Sequence, residues 1–240
     1  MPHLHRFFAT PEEDDPGRAI LRDEEAHHAI HVVRLKAGDG IAVFDGHGRT
    51  WSGVVESLSR REVRVRLTGE ACVPRPDTHV TLVQAWLHRD KSIEEIIRRC
   101  TEIGVDRFVF FPAARSERPP KANSKWNRLA VESCKQCGRA WLPEFQIADS
   151  LDSALALVDG PILAATLDGD SVPLSDAVSS NRIAFLVGPE GDFTREELAR
   201  LTQAHATPIS LGAAVFRSEV AAVVGCSLVL YELGRLGPGF

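Results

Sequence analysis

At residues 71–79, ACVPRPDTH, the hydrophobic pattern of this chain changes period. Before that point, apolar residues cluster or alternate in short runs at 5–9, 18–21, 41–44, 50–58 and 62–67. Such spacing suits β-strands, whose side chains point alternately to two faces. One helix interrupts them: Asp23 is placed to N-cap EEAHHAIHVVR, which ends near Arg34. Gly46, His47 and Gly48 fit the turn between two of the strands. Several short strands with a single helix predict a small β-barrel.

After that point, strand-like runs at 80–86, 108–111, 162–167, 183–187 and 209–211 alternate with helical segments. Ser92 is placed to cap a helix whose Ile93, Ile96, Ile97, Cys100 and Ile103 form one apolar stripe, and Gly104 ends it. Ser124 opens a long helix expected to run through Trp141. Thr194 and Glu197 form a capping box, and a last helix spans about 217–233. Alternating strands and helices predict a mostly parallel α/β sheet. Pro74 and Pro76 disfavour helix and stiffen the connection. The predicted domains are therefore 1–72 and 78–240. With 240 residues, 44% of them hydrophobic, two modest cores are within reach.

No apolar run approaches the length of a membrane-spanning helix. The opening MPHLHRFFATPEEDD lacks a basic region followed by an apolar one, as a secretory signal requires. A cytoplasmic protein with no membrane partner is expected, its five cysteines reduced. Cys134 and Cys137 form a C-x-x-C, but no second ligand pair completes a zinc site, so the pair reads as small residues on successive helical turns. His27, His28 and His31 share one short helix, again without a carboxylate or cysteine to complete a set. No metal is expected.

The net charge is −5, yet it is unevenly spread. Residues 86–139 carry 12 basic and 7 acidic side chains, whereas residues 140–240 carry 5 and 13. Local potential, not total charge, steers a polyanion. The basic island fits either a nucleic-acid surface or a solvated helix face laced with i,i+4 pairs.

Ligands of an open parallel α/β sheet bind beyond the carboxyl ends of its strands. Three such ends stand out: residues 164–169 (AATLDG), 186–193 (LVGPEGDF) and 210–217 (SLGAAVFR). In the second, two glycines flank Pro-Glu between an apolar strand and a capped helix. Glycine allows close backbone approach or positive φ, and the carboxylate could hold a cation such as a sulfonium or ammonium. An ordinary strand-to-helix turn has the same appearance. The chain has no G-x-G-x-x-G after the first α/β strand, no Walker motif, no G-x-S-x-G and no H-E-x-x-H, which argues against Rossmann dehydrogenases, P-loop NTPases, α/β-hydrolases and zincins.

Taken together, HRFF, HHAIHVVRLKAGDGIAVFDGHG, DKSIEEIIRRCTEIGV, RSE at 115–117, KWNRLAVESCKQCGR, LVGPEGDF and LGAAVFRSEVAA follow a known order over nearly the whole chain. The chain resembles the bacterial 16S ribosomal RNA (uracil-N3)-methyltransferases of the SPOUT superfamily. That resemblance implies a PUA-like β-barrel that helps to grip RNA, followed by an α/β domain with a deep trefoil knot. It implies S-adenosyl-L-methionine (SAM) bound bent in the knot, and a homodimer with the last helix in the interface. The implied partner is 16S ribosomal RNA or the small ribosomal subunit.

Carried over by position, the cofactor site would comprise Thr166 and Leu167, then Val187, Gly188, Pro189, Glu190 and Gly191, then Ser210, Leu211, Gly212, Val215 and Phe216. Arg217 and Glu219 match the Arg-x-Glu that opens the last helix, and Arg115 matches the arginine after the second α/β strand. Candidates for RNA contact are Arg6, Arg34, Lys36, Lys91, Lys125 and Arg139. Asp192 stands where the family usually has glycine, Ala214 near where it has a basic residue, and Val220 where it has threonine.

The implied chemistry needs the imide proton of uridine N3 to leave before N3 can attack the methyl carbon. Arg217, with Arg115 second, is expected to stabilise the charge developing on O2 and O4. Glu219 is either the base or the residue that orients Arg217, with the second role favoured. The sulfonium already activates the methyl group, so no metal is required. Two other readings stay open: a non-catalytic RNA-binding or ribosome-assembly factor on the same fold, and a knot methyltransferase with a different RNA target.

Overall fold

The computed structural model describes residues 4–166 and 171–237. It divides into two compact units, Met1–Arg75 with Val131–Leu142, and Pro76–Ala130 with Pro143–Phe240. The first break follows Arg75, between Pro74 and Pro76. The inclusion of Val131–Leu142 in the first unit was not foreseen, because contacts made across 110 residues leave no local pattern. Lys135, for example, forms a 2.7 Å ion pair with Glu25.

The first unit is a five-stranded sheet of β1 (Arg6–Phe8), β2 (Arg18–Arg22), β3 (Gly40–Phe44), β4 (Arg49–Leu58) and β5 (Glu62–Cys72), in the order β1-β3-β4-β5-β2. Only β1 and β3 pair parallel. Pro11, just past β1, bridges Ala19 of β2, so chain leaving one edge strand reaches the other and the sheet curls towards closure. Phe7, Leu21, Ile41, Val43, Val55, Val63 and Val65 fill the interior, the inward set of a period-two pattern.

The helix after β2 departs from expectation. Helix α1 covers Asp23–His27 and then widens into a π-helical turn over His28–Val33. Asp23 is not its N-cap; it is the first helical residue, at φ +47°, and makes no capping bond. Arg34 closes the π turn in the left-handed region.

The second unit holds β6 (His79–Ala85), α2 (Asp90–Ile103), β7 (Arg107–Phe111), the start of α3 (Lys125–Cys137), β8 (Glu144–Ile147), α4 (Leu151–Ala156), β9 (Ile162–Ala165), α5 (Leu174–Ala177), β10 (Arg182–Val187), α6 (Arg195–Gln203), β11 (Thr207–Ile209) and α7 (Ser218–Glu232). The six strands run parallel in the order β11-β9-β10-β6-β7-β8. Being buried on both faces, they read as nearly continuous apolar runs. One face carries Val80, Leu82, Phe108, Phe185 and Ile183 against the stripe of α2 and the apolar α7. The other carries Val83, Val109, Ala184 and Leu186 against Leu151 and Leu201. This is the α/β sheet expected of a SPOUT methyltransferase domain.

Two helix ends differ from the sequence reading. Helix α2 starts at Asp90, ahead of Ser92, and its N-cap Arg89 makes no capping bond. Helix α3 stops at Cys137, before Gly138 at φ +88°. Trp141 is therefore not helical; it bridges His47, and its indole N–H donates to the Val73 carbonyl at 2.9 Å. At the end of α3 tertiary partners outweighed local propensity.

Candidate functional site

The register of the parallel sheet creates the site. Ile209 pairs with Ala165, Ala165 with Val187, and Val187 with Gln84, so β11, β9, β10 and β6 end in one row. The segments that leave them converge on a cavity of about 980 Å³. That is at the upper end of the ~300–1,000 Å³ usual for small-molecule sites.

Around it stand Thr166, Val187, Gly188, Pro189, Glu190 and Gly191, together with Ser210, Leu211, Gly212, Val215 and Phe216. Arg115, Arg217 and Glu219 join them. Thus all the cofactor and catalytic candidates among the described residues meet in one place, and Leu167 lies outside those residues. His88, Arg89, Ser92, Glu117 and Ser218 also line the cavity; none was a site candidate, although Ser92, Glu117 and Ser218 lie within the motifs that carry the resemblance.

Side chains from distant parts of the chain fix the 188–193 loop. Arg115 donates to the Gly191 carbonyl, and a Cβ on Gly191 would come within 3.2 Å of its Cδ. A side chain there would require Arg115 to shift by a few tenths of an ångström, whereas the φ of Gly191 is open to any residue. The left-handed residue is Asp192, at φ +62°. Asp tolerates that region better than most residues, and here its Oδ1 also accepts the Phe193 N–H at 2.8 Å. Substitution of the usual glycine is therefore compensated locally. Glu190 Oε1 accepts the main-chain N–H of His88 at 3.0 Å, which ties the β10 loop to the β6 loop.

A second brace lies beneath. Gln84 is wholly buried; its Nε2 donates to Ser218 Oγ at 2.9 Å, and that hydroxyl donates to the Gly188 carbonyl at 2.6 Å. The end of β6, the loop after β10 and the first turn of α7 are thereby held together. Gln84 Oε1 has no partner among the described residues. The sequence signal for Gln84 was a lone amide in the apolar run VTLVQA. Glu197, also buried, accepts from the main-chain N–H groups of Ala114 and Thr194 at 2.8 and 2.9 Å. The expected capping box thus also anchors the loop after β7.

The third loop is more open. Gly212 sits at φ +116° with space around it, and residues 212–217 are exposed. Arg217 is the N-cap residue of α7 and Glu219 lies in its first turn. Among the described residues no ion pair joins them, so the favoured role of Glu219 as the residue orienting Arg217 has no contact behind it.

The RNA-contact candidates separate by environment. Arg34, Lys36 and Lys91 are exposed. Arg6 stacks on Phe44 and donates to the Arg139 carbonyl at 3.0 Å, which commits it to the first unit. Arg139 is half-buried. Lys125 pairs with Glu94 at 2.6 Å. Much of the basic island is likewise neutralised internally, as where Arg99 meets Glu95 and Glu102 along α2.

The cysteines are all free, and burial pushes the Cys134 thiol up to about 12. Such a thiol is inert as a nucleophile or ligand. Among the described residues no group of three His, Cys, Asp or Glu side chains is placed to hold a metal, and no helix is long and apolar enough to cross a membrane.

A five-stranded, mostly antiparallel unit and a parallel α/β unit with this cavity match a class, the RNA methyltransferases with a PUA domain. The RNA methyltransferase domain family matches residues 74–230, and the RNA methyltransferase PUA domain family matches residues 21–68. The Ribosomal RNA small subunit methyltransferase E of Mycobacterium bovis is 30% identical over 93% of this chain and 90% of its own length. The chain belongs to this family, the ribosomal RNA small subunit methyltransferases E. A probable rRNA-methyltransferase from Porphyromonas gingivalis has a similar structure, with a TM-score of 0.84 and 28% identity over 96% of this chain and 99% of that one. The Neisseria gonorrhoeae Ribosomal RNA small subunit methyltransferase E, solved bound to S-adenosyl methionine, shares the fold at a TM-score of 0.82 and 22% identity, covering 95% of this chain and 98% of its own.

Proposed function

We propose that this protein is a SAM-dependent methyltransferase that modifies N3 of a specific uridine in the 16S ribosomal RNA of the small subunit. The observation that carries the reading is the shared cavity at the ends of β9, β10 and β11, in a chain of this family. Its lining fits the cofactor. Val187, Ile209, Leu211 and Phe216 offer an apolar wall for a purine, and main-chain groups of the three loops offer donors and acceptors. Glu190 offers a carboxylate for the cationic end, with only Oε1 engaged among the described residues. When bound, SAM supplies an activated methyl group.

The chain's own residues position the base and manage its charge. Arg217 is exposed at the cavity and permanently protonated, suited to receive the charge that grows on O2 and O4 as N3 loses its proton. Arg115 braces Gly191 and stands beside it as a second donor. Arg34, Lys36 and Lys91 offer exposed cations for RNA phosphates. The apolar side of α7 that includes Val220, Leu228 and Tyr231, the last 60% exposed, suits burial against a second copy in a homodimer.

The decisive experiment has two arms. Titration calorimetry with SAM is expected to show one site per chain. Mass spectrometry of 16S RNA from cells lacking the protein is expected to show the loss of one N3-methyluridine. Intact methylation in those cells would refute the proposed activity.

A further inference from the structure

The reaction proposed above leaves its proton acceptor open, and the cavity contains a pair suited to that task. We propose that His88 is the general base that removes the N3 proton, and that Glu117 is the residue that positions it; the assignment rests on the uracil-N3 reading. Both residues line the cavity with Arg115, Gly191 and Arg217, and both side chains are solvent-accessible. His88 lies three residues beyond Ala85, the last residue of β6, at the ligand end of the sheet.

Two contacts fix it there. Its main-chain N–H is held by Glu190 Oε1 at 3.0 Å, and its ring Nδ1 meets Glu117 Oε2. A carboxylate on Nδ1 selects the tautomer with the proton on that nitrogen, leaving a lone pair on Nε2. The carboxylate also stabilises the imidazolium that forms when Nε2 takes a proton.

The rival carboxylates are less suited. Imidazoles as a class are stronger bases than carboxylates by about two pKa units, and an imide proton is hard to remove. Glu190 is already tied to the His88 backbone, and among the described residues no ion pair aims Glu219. The charges facing His88 across the cavity are Arg89, Arg115 and Arg217, with Glu190, Asp192 and Glu219. The three arginines favour the imide anion.

The step balances as follows. The N3–H bond breaks, its proton goes to Nε2 and its electron pair stays on the imide. N3 then bonds to the methyl carbon while the methyl–sulfur bond breaks with its pair on sulfur. The imidazolium later releases its proton to water.

The test uses the full chain, SAM, and small-subunit RNA transcribed with either uridine or 5-fluorouridine, whose N3 proton is more acidic. H88Q is expected to lower turnover on ordinary RNA by ~100-fold or more, to bind SAM within twofold of wild type, and to regain at least tenfold on the fluorinated RNA. E117Q is expected to lose about tenfold in kcat with its KM for RNA within twofold of wild type, because the imidazole loses the partner that fixes its tautomer. In the protein without cofactor, nitrogen NMR is expected to find His88 protonated on Nδ1 in the wild type, with that preference lost in E117Q. Unchanged turnover in H88Q, equal losses on both RNAs, a matching loss of SAM affinity, or a wild-type ring protonated on Nε2 would each overturn the assignment. A wild type that places no methyl on uridine N3 would instead strike at the parent reading.

Discussion

The two ends of the six-stranded sheet are made from the same strands and put to opposite uses. At the amino end, Asp106 and Arg235 are 7% and 13% exposed in their side chains and form a 2.5 Å ion pair. Asp106 also accepts the Val80 N–H at 3.0 Å, and Arg235 donates to the Gly104 carbonyl at 2.8 Å. The segment after α7 is locked onto the starts of β6 and β7. At the carboxyl end, Arg217 is exposed, Gly212 is unconstrained by neighbours and Val215 is 73% exposed. Polar groups at the amino end are committed to each other, whereas at the carboxyl end Gln84, Ser218 and Glu190 form a brace and the exposed residues 212–217 remain available. A parallel sheet can thus concentrate stability at one edge and keep binding groups free at the other, where tight pairing would compete with a ligand.

This contrast can be broken most forcefully at Asp106. D106A leaves the buried Arg235 guanidinium uncompensated and is expected to cost about 3–5 kcal/mol. Chemical denaturation measures that loss, while SAM affinity of the remaining folded protein stays at the wild-type value. Loss of SAM affinity at equal folded fraction would mean that the two ends are not separable.

Next in size is R217A at the open end. Loss of one charge-stabilising donor is expected to lower kcat by about 100- to 1,000-fold. The denaturation midpoint and SAM affinity are expected to stay unchanged, and a large drop in midpoint would place Arg217 in the scaffold.

A smaller effect tests the anchoring of the open end. T194A removes the hydroxyl that caps α6 through the Glu197 N–H and is expected to cost about 1 kcal/mol. Because Glu197 also holds Ala114, we expect its KM for RNA to rise more than its KM for SAM. Equal changes in both would argue against that coupling.

The smallest effect serves as a control in the first unit. Burial, and then the charge of Lys135, lowers the His28 pKa below its ordinary value, while Glu25 and Glu132 oppose the shift and His5 adds to it. The unfolded chain then binds more protons between the lowered value and about 6.5. His28 therefore makes stability rise with pH across that window and fall as the medium is acidified through it. H28Q is expected to flatten the dependence of the thermal midpoint between pH 5.5 and 7 without changing SAM affinity. A steeper slope in the variant would reverse the sign of this account.

Much of the fold was legible because its signals were local. The stripe from Ile93 to Ile103, Gly104 as a stop, and the Thr194–Glu197 box all depend on residues within a turn or two of each other. The misreadings lie at helix ends. Asp23 and Ser92 looked like caps, yet both lie inside their helices, after Arg22 and Arg89. Trp141 continued an apolar helical pattern, yet its indole is taken by Val73, 68 residues away. The π-helical turn and the short elements β8, α4 and α5 left no periodicity long enough to detect.

For the cavity, the sequence by itself pointed to the segments that line it: three strand ends rich in glycine and small residues, with Arg115 and Arg217. Only the tertiary structure decided how they meet. Strand order and register placed Ile209, Ala165, Val187 and Gln84 in one row, brought Glu117 to His88, and set Gln84 against Ser218, 134 residues away. The physical reason is range. Hydrophobic period and capping are written in neighbouring residues, whereas a cavity forms between side chains whose proximity depends on which strands pair across the whole sheet.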